Sequence, residues 1–291
     1  MDGTEALPLP PAAVLIAAGV FGALWGSFFN VCIARIPLGQ SVVRPGSHCF
    51  ACNAPVRAYD NIPILSYLLL RGRCRSCGAK FSPRYALVEA LMAALSALWA
   101  WRCFFVADPL APDLSLGVRA ARFAAGFVFI GILVVLSFID LDTKRLPDGI
   151  TLPSIPILFL AGFATADVAW SDRLIGAAAG YGVIWVISTA YYYSTGREGL
   201  GLGDAKLLAV IGVMFGWHAL PMVIFAASFV GVIISVPLLL IAQRRDRQKA
   251  EPSIRRAEVP FGPYLALAAL FYLSAGDALW NQLLAHLGVE L

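Results

Sequence analysis

The chain has 291 residues, of which 59% are apolar and only 14% charged, and its mean hydropathy is +0.77. A soluble domain averages roughly 45–50% apolar and about 25% charged, so this composition excludes a soluble nucleic-acid binder, a disordered chain and a small disulfide scaffold. It indicates an all-α polytopic membrane protein; the net charge of +4 acquires meaning only once the charges are located.

Taken in order, the apolar runs mark the membrane spans. The first is Ala12–Cys32. The residues before Pro11 include Asp2 and Glu5 but no Lys or Arg, so they lack the basic segment of a signal peptide and the run reads as a true span. A polar connection follows, from Arg35 to Arg84, holding eight Lys and Arg residues. The next runs are Ala86–Val106, Ala120–Ile139, Ile150–Val168 and Leu174–Tyr193. The stretch Leu207–Ile241 would be about 52 Å long as one helix, well beyond a hydrocarbon core of about 30 Å. Gly216, His218 and Pro221 supply a break, and the first half then starts near Gly199, which brings Asp204 to the membrane edge. Tyr264–Leu287 completes about eight spans. The segment Arg244–Arg256 is again basic, and in this topology 18 of the 22 Lys and Arg residues share one face. That asymmetry makes the rich face cytoplasmic and both termini periplasmic.

Four of the six cysteines lie in the first connection as two C-x2-C pairs, Cys49/Cys52 and Cys74/Cys77, separated by 21 residues. This is zinc-ribbon spacing, and four thiolates leave no open position on the metal, so Zn2+ here is structural. It staples a loop too small to build its own core. The reducing compartment argues against disulfides. Cys32 and Cys103 fall in apolar runs and read as packing residues, and His48 as a bystander beside Cys49.

Ionisable groups at membrane spans are functional suspects. Asp140 ends the third span and is followed by Asp142 and Asp148; Asp204 sits in Gly201-Leu-Gly203-Asp204-Ala-Lys206 at the entry of another span on the same face. Two carboxylates brought together can share one proton and activate a water, which is aspartic-protease chemistry. Gly201 and Gly203 would allow close backbone approach or a positive φ. Structural readings stand beside these: Asp142 and Asp148 as solvated or capping residues, and Asp204 as an ion-pair partner of Lys206 or of an arginine. No Gly-x-Ser-x-Gly or His-Glu-x-x-His motif is present to support a serine or zinc protease.

These motifs together resemble the bacterial prepilin peptidases, or type IV leader peptidases, over almost the whole chain. The resemblance is carried by Gly26-Ser-Phe-Phe-Asn30 through Arg35-Ile-Pro37, by the cysteine pairs with Asn61-Ile-Pro63 and Leu70-Arg-Gly-Arg-Cys74, and by Tyr85 and Glu89. Ile139-Asp140, Leu146-Pro147-Asp148, Gly201–Lys206 and Pro260-Phe-Gly-Pro-Tyr264 complete it. It implies that Asp140 and Asp204 are catalytic and that the substrates are type IV prepilins, or pseudoprepilins of type II secretion, in the bacterial inner membrane. Cleavage would follow a glycine at the cytoplasmic face of the lipid bilayer. It implies also N-methylation of the new N-terminal residue, usually Phe, with S-adenosylmethionine as donor, although no methyl-donor pocket is legible. Asp142, Asp148, Gly201, Gly203, Lys206, Glu89, Asn30 and Arg35 are expected in supporting roles: Asn30 and Arg35 holding the cytoplasmic end of the first helix, and Glu89 either contributing to the site or acting as a buried capping or pairing residue. The expected organisation is a first transmembrane helix (1–36), a small cytoplasmic zinc-ribbon-like domain built on the four cysteines (37–85) and a transmembrane aspartic peptidase domain (86–291). The competing readings are a proton- or ion-coupled transporter, and a methyltransferase or scaffold whose acids are structural.

Overall fold

A computed structural model describes residues 9–106, 114–165, 167–196, 201–246 and 260–286, with 239–246 and 277–286 as backbone. Among these residues there is no strand, only helices, turns and two isolated β-bridges. The α-helices are α1 (Pro11–Arg35), α2 (Leu65–Leu69), α3 (Arg84–Phe104), α4 (Leu116–Thr143), α5 (Asp148–Thr165), α6 (Trp170–Thr195), α7 (Leu202–Phe215), α8 (Ala219–Asp246) and α9 (Gly262–His286).

A helix occupies each stretch marked by an apolar run. The break expected between Gly216 and Pro221 falls at Gly216, whose φ of 81° ends α7. Six helices, α1, α3–α6 and α8, are long and apolar enough to cross a bilayer, which makes this a multi-pass membrane protein. With 14 residues, α7 spans about 21 Å against a hydrocarbon thickness of about 30 Å. Helix α9 runs for 25 residues, about 37 Å, which is long enough to cross. Length and apolarity together support six crossings among the described residues and helix length alone a seventh, α9; the count of eight rests on the sequence. Gly199 and most of the Arg244–Arg256 segment lie outside the described residues.

The chain divides into two compact units, Met1–Val135 and Leu136–Leu291. In the first, α1 packs on α3 through glycines four residues apart, which share one helical face. A Cβ on Gly22 would stand 2.4 Å from the Met92 carbonyl oxygen, and one on Gly26 would stand 2.8 Å from Glu89 Cα. Backbone meets backbone there because nothing larger than hydrogen fits, the device by which membrane helices gain close contact. The early part of α4 joins them: Trp99 Nε1 donates to the carbonyls of Arg122 and Phe123 at 3.3 and 3.2 Å, and Phe127 packs against Phe21 with ring centroids 4.8 Å apart.

In the second unit α7 is the central element. Ala205 and every residue from Leu207 to Met214 are buried, as expected of a helix apolar on all sides. α6 crosses it at the same kind of contact: a Cβ on Gly176 would lie 2.3 Å from the Gly212 carbonyl oxygen, and one on Gly180 would lie 2.5 Å from that of Leu208. The last carbonyls of a helix have no intrahelical donor. Here Arg173, at the head of α6, supplies one, donating from Nη1 to the Val213 and Met214 carbonyls, each at 3.1 Å. Its Nη2 pairs with Asp167 and Thr165.

Candidate functional sites

The two cysteine pairs fold as near-duplicate turns. In the first, the Asn53 N–H donates to the Cys49 carbonyl at 2.8 Å and the Cys49 N–H to that of Ala54 at 2.9 Å; in the second, Gly78 donates to Cys74 at 2.9 Å and Cys74 to Ala79 at 2.8 Å. Each turn reverses through a positive φ just after its second cysteine, 55° at Asn53 and 73° at Gly78. Asn and Gly are the residues that enter this region most readily. The turns bring all four sulfurs within 4.8 Å of one another, with Cys49–Cys77 at 3.8 Å and Cys52–Cys74 at 4.0 Å. A tetrahedron with metal–sulfur bonds of about 2.3 Å has edges of about 3.8 Å, so the donor set fits a four-coordinate metal ion.

The electrostatics agree. N–H groups of Cys77 and Ser76 hold the Cys74 thiol down to about 7. Cys77 accepts the Ala79 N–H, which lowers it, yet hydrogen bonding with the Cys52 sulfur and burial push it up to about 12. Four crowded sulfurs cannot all ionise unless a cation shares the site. His48 takes no part: its Nδ1 donates to the Gly46 carbonyl at 3.0 Å. Arg75, inside the second turn, clamps Asp60 through Nε at 3.0 and 2.9 Å and Nη2 at 2.6 Å, and this hydrogen bonding holds the Asp60 carboxyl below its ordinary range.

Three expected supporting residues tie this domain to the helices of its unit. Asn30 is buried on α1 and donates from Nδ2 to the Tyr85 carbonyl at 3.0 Å, joining the end of α1 to the start of α3. Arg35 gathers the loop after α1, donating to the carbonyls of Ser41 at 3.1 Å, Pro45 at 2.7 Å and Gly46 at 3.4 Å. Glu89, buried on α3, accepts the Ile64 N–H at 2.7 Å. Ile64 has φ 64° and ψ −53°, and the Leu65 N–H reaches back to the Pro63 carbonyl at 2.6 Å. That is a γ-turn of the strained sort, held by a residue 25 positions away. Between these elements lies a cavity of about 900 Å³, lined among others by Asn30, Arg44, Tyr67, Arg73, Phe81 and Glu89.

The aspartates belong to the second unit. Asp140 is 5% exposed near the end of α4, and its Oδ2 accepts the Gly262 N–H at 3.1 Å. Gly262 opens α9, so the carboxylate faces a helix N-terminus, where backbone donors are unsatisfied. A Cβ there would stand 2.7 Å from Asp140 Oδ2, so glycine makes this approach possible. Asp204 is half-buried in the first turn of α7, near enough to Asp140 for the two charges to act on each other. Gly201 caps α7 with an ordinary extended φ of −69°. Gly203 is the close approach, its missing Cβ 3.2 Å from that of Leu146. Neither needs a positive φ. Lys206 pairs with Asp148 at the start of α5, not with Asp204. Asp142 is exposed at the end of α4.

Sequence reasoning placed Gly262 only within the Pro260–Tyr264 motif and gave it no role. The local signal was a glycine between Phe261 and Pro263 at the head of an apolar run. The γ-turn at Ile64 had no signal, because β-branched residues are not expected at positive φ.

Comparison with known proteins shows two family matches. Residues 20–103 match the bacterial peptidase A24 N-terminal domain, and residues 127–236 match the type IV leader peptidase family. A protein of Aeromonas hydrophila named prepilin leader peptidase/N-methyltransferase is 40% identical over 295 residues, 92% of each chain. Proteins of the same name from Neisseria gonorrhoeae and Pseudomonas aeruginosa are 34% identical over 94% of each chain and 33% identical over 96% of this chain and 97% of the relative. No solved structure matches the chain. The four-sulfur centre, the helical membrane architecture and similarity over more than nine-tenths of each chain converge: the chain belongs to the type IV leader peptidase family.

Proposed function

We propose that the chain is a bifunctional prepilin-processing enzyme that cleaves the basic leader from type IV prepilins, or pseudoprepilins of type II secretion, and N-methylates the residue exposed. The observation that carries the reading is the approach of Asp140 and Asp204, from α4 and α7, inside a membrane unit. One ionised carboxylate takes a proton from water as the oxygen attacks the carbonyl carbon of the glycine before the cut. The other, protonated, donates to the carbonyl oxygen; the amide C–N bond then breaks, and a proton passes to the leaving amine. The Gly262 N–H orients Asp140. The Asp148–Lys206 pair joins α5 to α7 and keeps Lys206 engaged beside Asp204. Asp142, exposed on the same helix end, attracts the basic leader.

The enzyme sits in the bacterial inner membrane with the acids on the cytoplasmic side and both termini periplasmic. The gathering of 18 of 22 basic residues on one face supports this orientation. Residues 1–36 form an anchoring helix, 37–85 the four-cysteine domain and 86–291 the peptidase region. Cys49, Cys52, Cys74 and Cys77 hold a structural Zn2+, for which the sulfur separations are suitable. When bound, S-adenosylmethionine would supply a sulfonium methyl group to the neutral N-terminal amine, with S-adenosylhomocysteine and a proton as the other products. The transporter and scaffold readings are disfavoured by the names of relatives matched over more than nine-tenths of their length.

The test is mass spectrometry of a synthetic leader–pilin segment incubated with purified protein and S-adenosylmethionine. Wild type gives cleavage after the glycine and a gain of one methyl mass on the new N-terminus. Asp140→Asn and Asp204→Asn each lower cleavage by at least about a thousandfold, as loss of a catalytic acid or base does, with metal content unchanged. Cleavage that survives in both variants removes the dyad from the mechanism.

A further inference from the structure

Helix α2 is apolar on its outer face and polar on its inner one. Leu65, Leu68 and Leu69 follow the i, i+3, i+4 spacing of one helical face, and they are 57, 63 and 82% exposed. The serine of the helix is inside. Ser66 is buried, donating from Oγ to the Tyr59 carbonyl and accepting the Ile62 N–H, each at 3.0 Å. Ile62, just before the helix, is exposed as well. A soluble domain buries its leucines and leaves its serines out, so this face marks a contact with something apolar.

The level of α2 identifies what that is. In this unit α1 and α3 are both long and apolar enough to cross a bilayer, and they pack with Gly26 against Glu89. Gly26 lies six residues inside the end of the apolar run Ala12–Cys32, and Glu89 three residues inside the start of Ala86–Val106. Their contact is therefore about 5–9 Å within the apolar length of the two helices. Glu89 Oε2 accepts the Ile64 N–H at 2.7 Å, which a carboxyl oxygen does whether or not the group is ionised. The residue just before α2 is thus held within one side-chain length of a level that the bilayer itself occupies. A soluble partner does not reach that depth. Three leucines also fall well short of the total of about 1,200–2,000 Å² buried in a stable protein–protein interface. An interfacial helix needs only to sink its apolar face about 5–10 Å into the boundary of headgroups and acyl chains. Basic residues complete the arrangement. The chain leaves α2 through Arg71-Gly72-Arg73, whose N–H groups return to the Leu68, Tyr67 and Leu70 carbonyls at 3.1, 2.8 and 3.1 Å. Both arginines are exposed and, among the described residues, pair with no acid.

We propose that α2 is an interfacial anchor: its leucine face lies in the hydrocarbon edge of the leaflet that borders the cysteine domain, and Arg71 and Arg73 meet anionic phospholipid headgroups there. The domain then rests on the membrane at a third point besides α1 and α3. This contact requires neither cleavage nor methylation.

The experiment places the photoreactive residue benzoylphenylalanine at position 65, 68 or 69 of the full-length protein in nanodiscs of phosphatidylcholine and phosphatidylglycerol in equal shares, and identifies the adducts by mass spectrometry. Each form is checked for metal content and melting temperature. Position 43 is the control. Val43 is 76% exposed and also apolar, but its loop hangs from Arg35, which stands nine residues further along α1 than Gly26, about 14 Å. Phospholipid adducts form at positions 68 and 69 at least tenfold more than at 43, and phosphatidylglycerol is taken at least twofold above its share. The double variant Arg71→Glu/Arg73→Glu keeps the lipid adducts and loses that preference. Hydroxyl-radical footprinting of the unsubstituted protein in the same nanodiscs needs no replacement, and finds Leu65, Leu68 and Leu69 oxidised at least fivefold less than Val43. Equal lipid yield at 43 and 69, or leucines oxidised as readily as Val43, overturns the anchor. Adducts that mirror the lipid composition overturn the headgroup contact. Adducts between two copies of the chain in place of lipid make the face a subunit interface, adducts to an added leader–pilin segment make it a substrate surface, and the proposal falls in both cases.

Discussion

Asp140, which we propose as one of the two catalytic acids, shows how one backbone group can hold a carboxylate in place. Its Oδ2 takes the Gly262 N–H at 3.1 Å, and a methyl group at position 262 would press to 2.7 Å from that same oxygen. Gly262→Ala therefore turns the carboxyl away from its donor while leaving both aspartates chemically intact. A hydrogen bond to a charged group is worth about 1.5–3 kcal/mol, so kcat for leader cleavage falls roughly ten- to a hundredfold. KM and metal content hold steady. A variant with wild-type kcat shows that this contact does not position the acid. Arg173 is the contrasting case. In the expected topology it is one of the four Lys and Arg residues outside the basic face. It is 2% exposed and caps α7 from inside. A lone arginine before an apolar run looks the same in sequence whether it reaches water or a buried helix end, so its role was not legible.

At the scale of elements, the long helices were readable because apolar length leaves few alternatives in a membrane. The crossings that organise them were readable as well, though they went unread. Gly22-Ala-Leu-Trp-Gly26 and Gly176-Ala-Ala-Ala-Gly180 are both G-x-x-x-G stretches, and each sits at a close helix contact of its own unit, α1 with α3 and α6 with α7. The second crossing matters for the site, because α7 carries Asp204 in its first turn. Gly176→Leu places a side chain where the Gly212 carbonyl oxygen and Gly216 carbonyl carbon stand 2.3 and 2.8 Å from the first carbon alone. Backbone cannot yield as a side chain would. The expected result is a loss of stability of about 1–3 kcal/mol or more, seen as a lower melting temperature together with lost cleavage. Gly182→Leu on the same helix, where a Cβ meets nothing within 4 Å, leaves both unchanged. Equal damage from the two substitutions ascribes the effect to the bulk of leucine in a membrane helix and not to the crossing.

For the whole molecule, the legible chemistry and the hidden chemistry divide by distance along the chain. The cysteine pairs announce themselves because a C-x2-C turn is local, and Asp140 and Asp204 because acids beside apolar runs are rare. The cavity and the Glu89–Ile64 clamp arise only when segments tens of residues apart close on one another, and no spacing rule records that. The same division bears on stability. In the first unit, residues 47–81 hold together through the two cysteine turns and have only three buried residues, Cys49, Ser66 and Gly72. The second unit has the buried length of α7 as its own core. Apparent binding free energies for structural zinc in small domains are about 10–16 kcal/mol, more than a loop of this size can replace from packing. Removing the metal with a mercurial reagent and chelator should therefore release one metal ion per chain and abolish amide protection across residues 47–81. Protection in α6 and α7 should persist, since no cysteine of the centre lies in that unit and its buried packing is untouched. Loss of protection in α6 and α7 at the same rate would mean that the metal centre supports the entire fold, and the independence of the two cores would have to be given up.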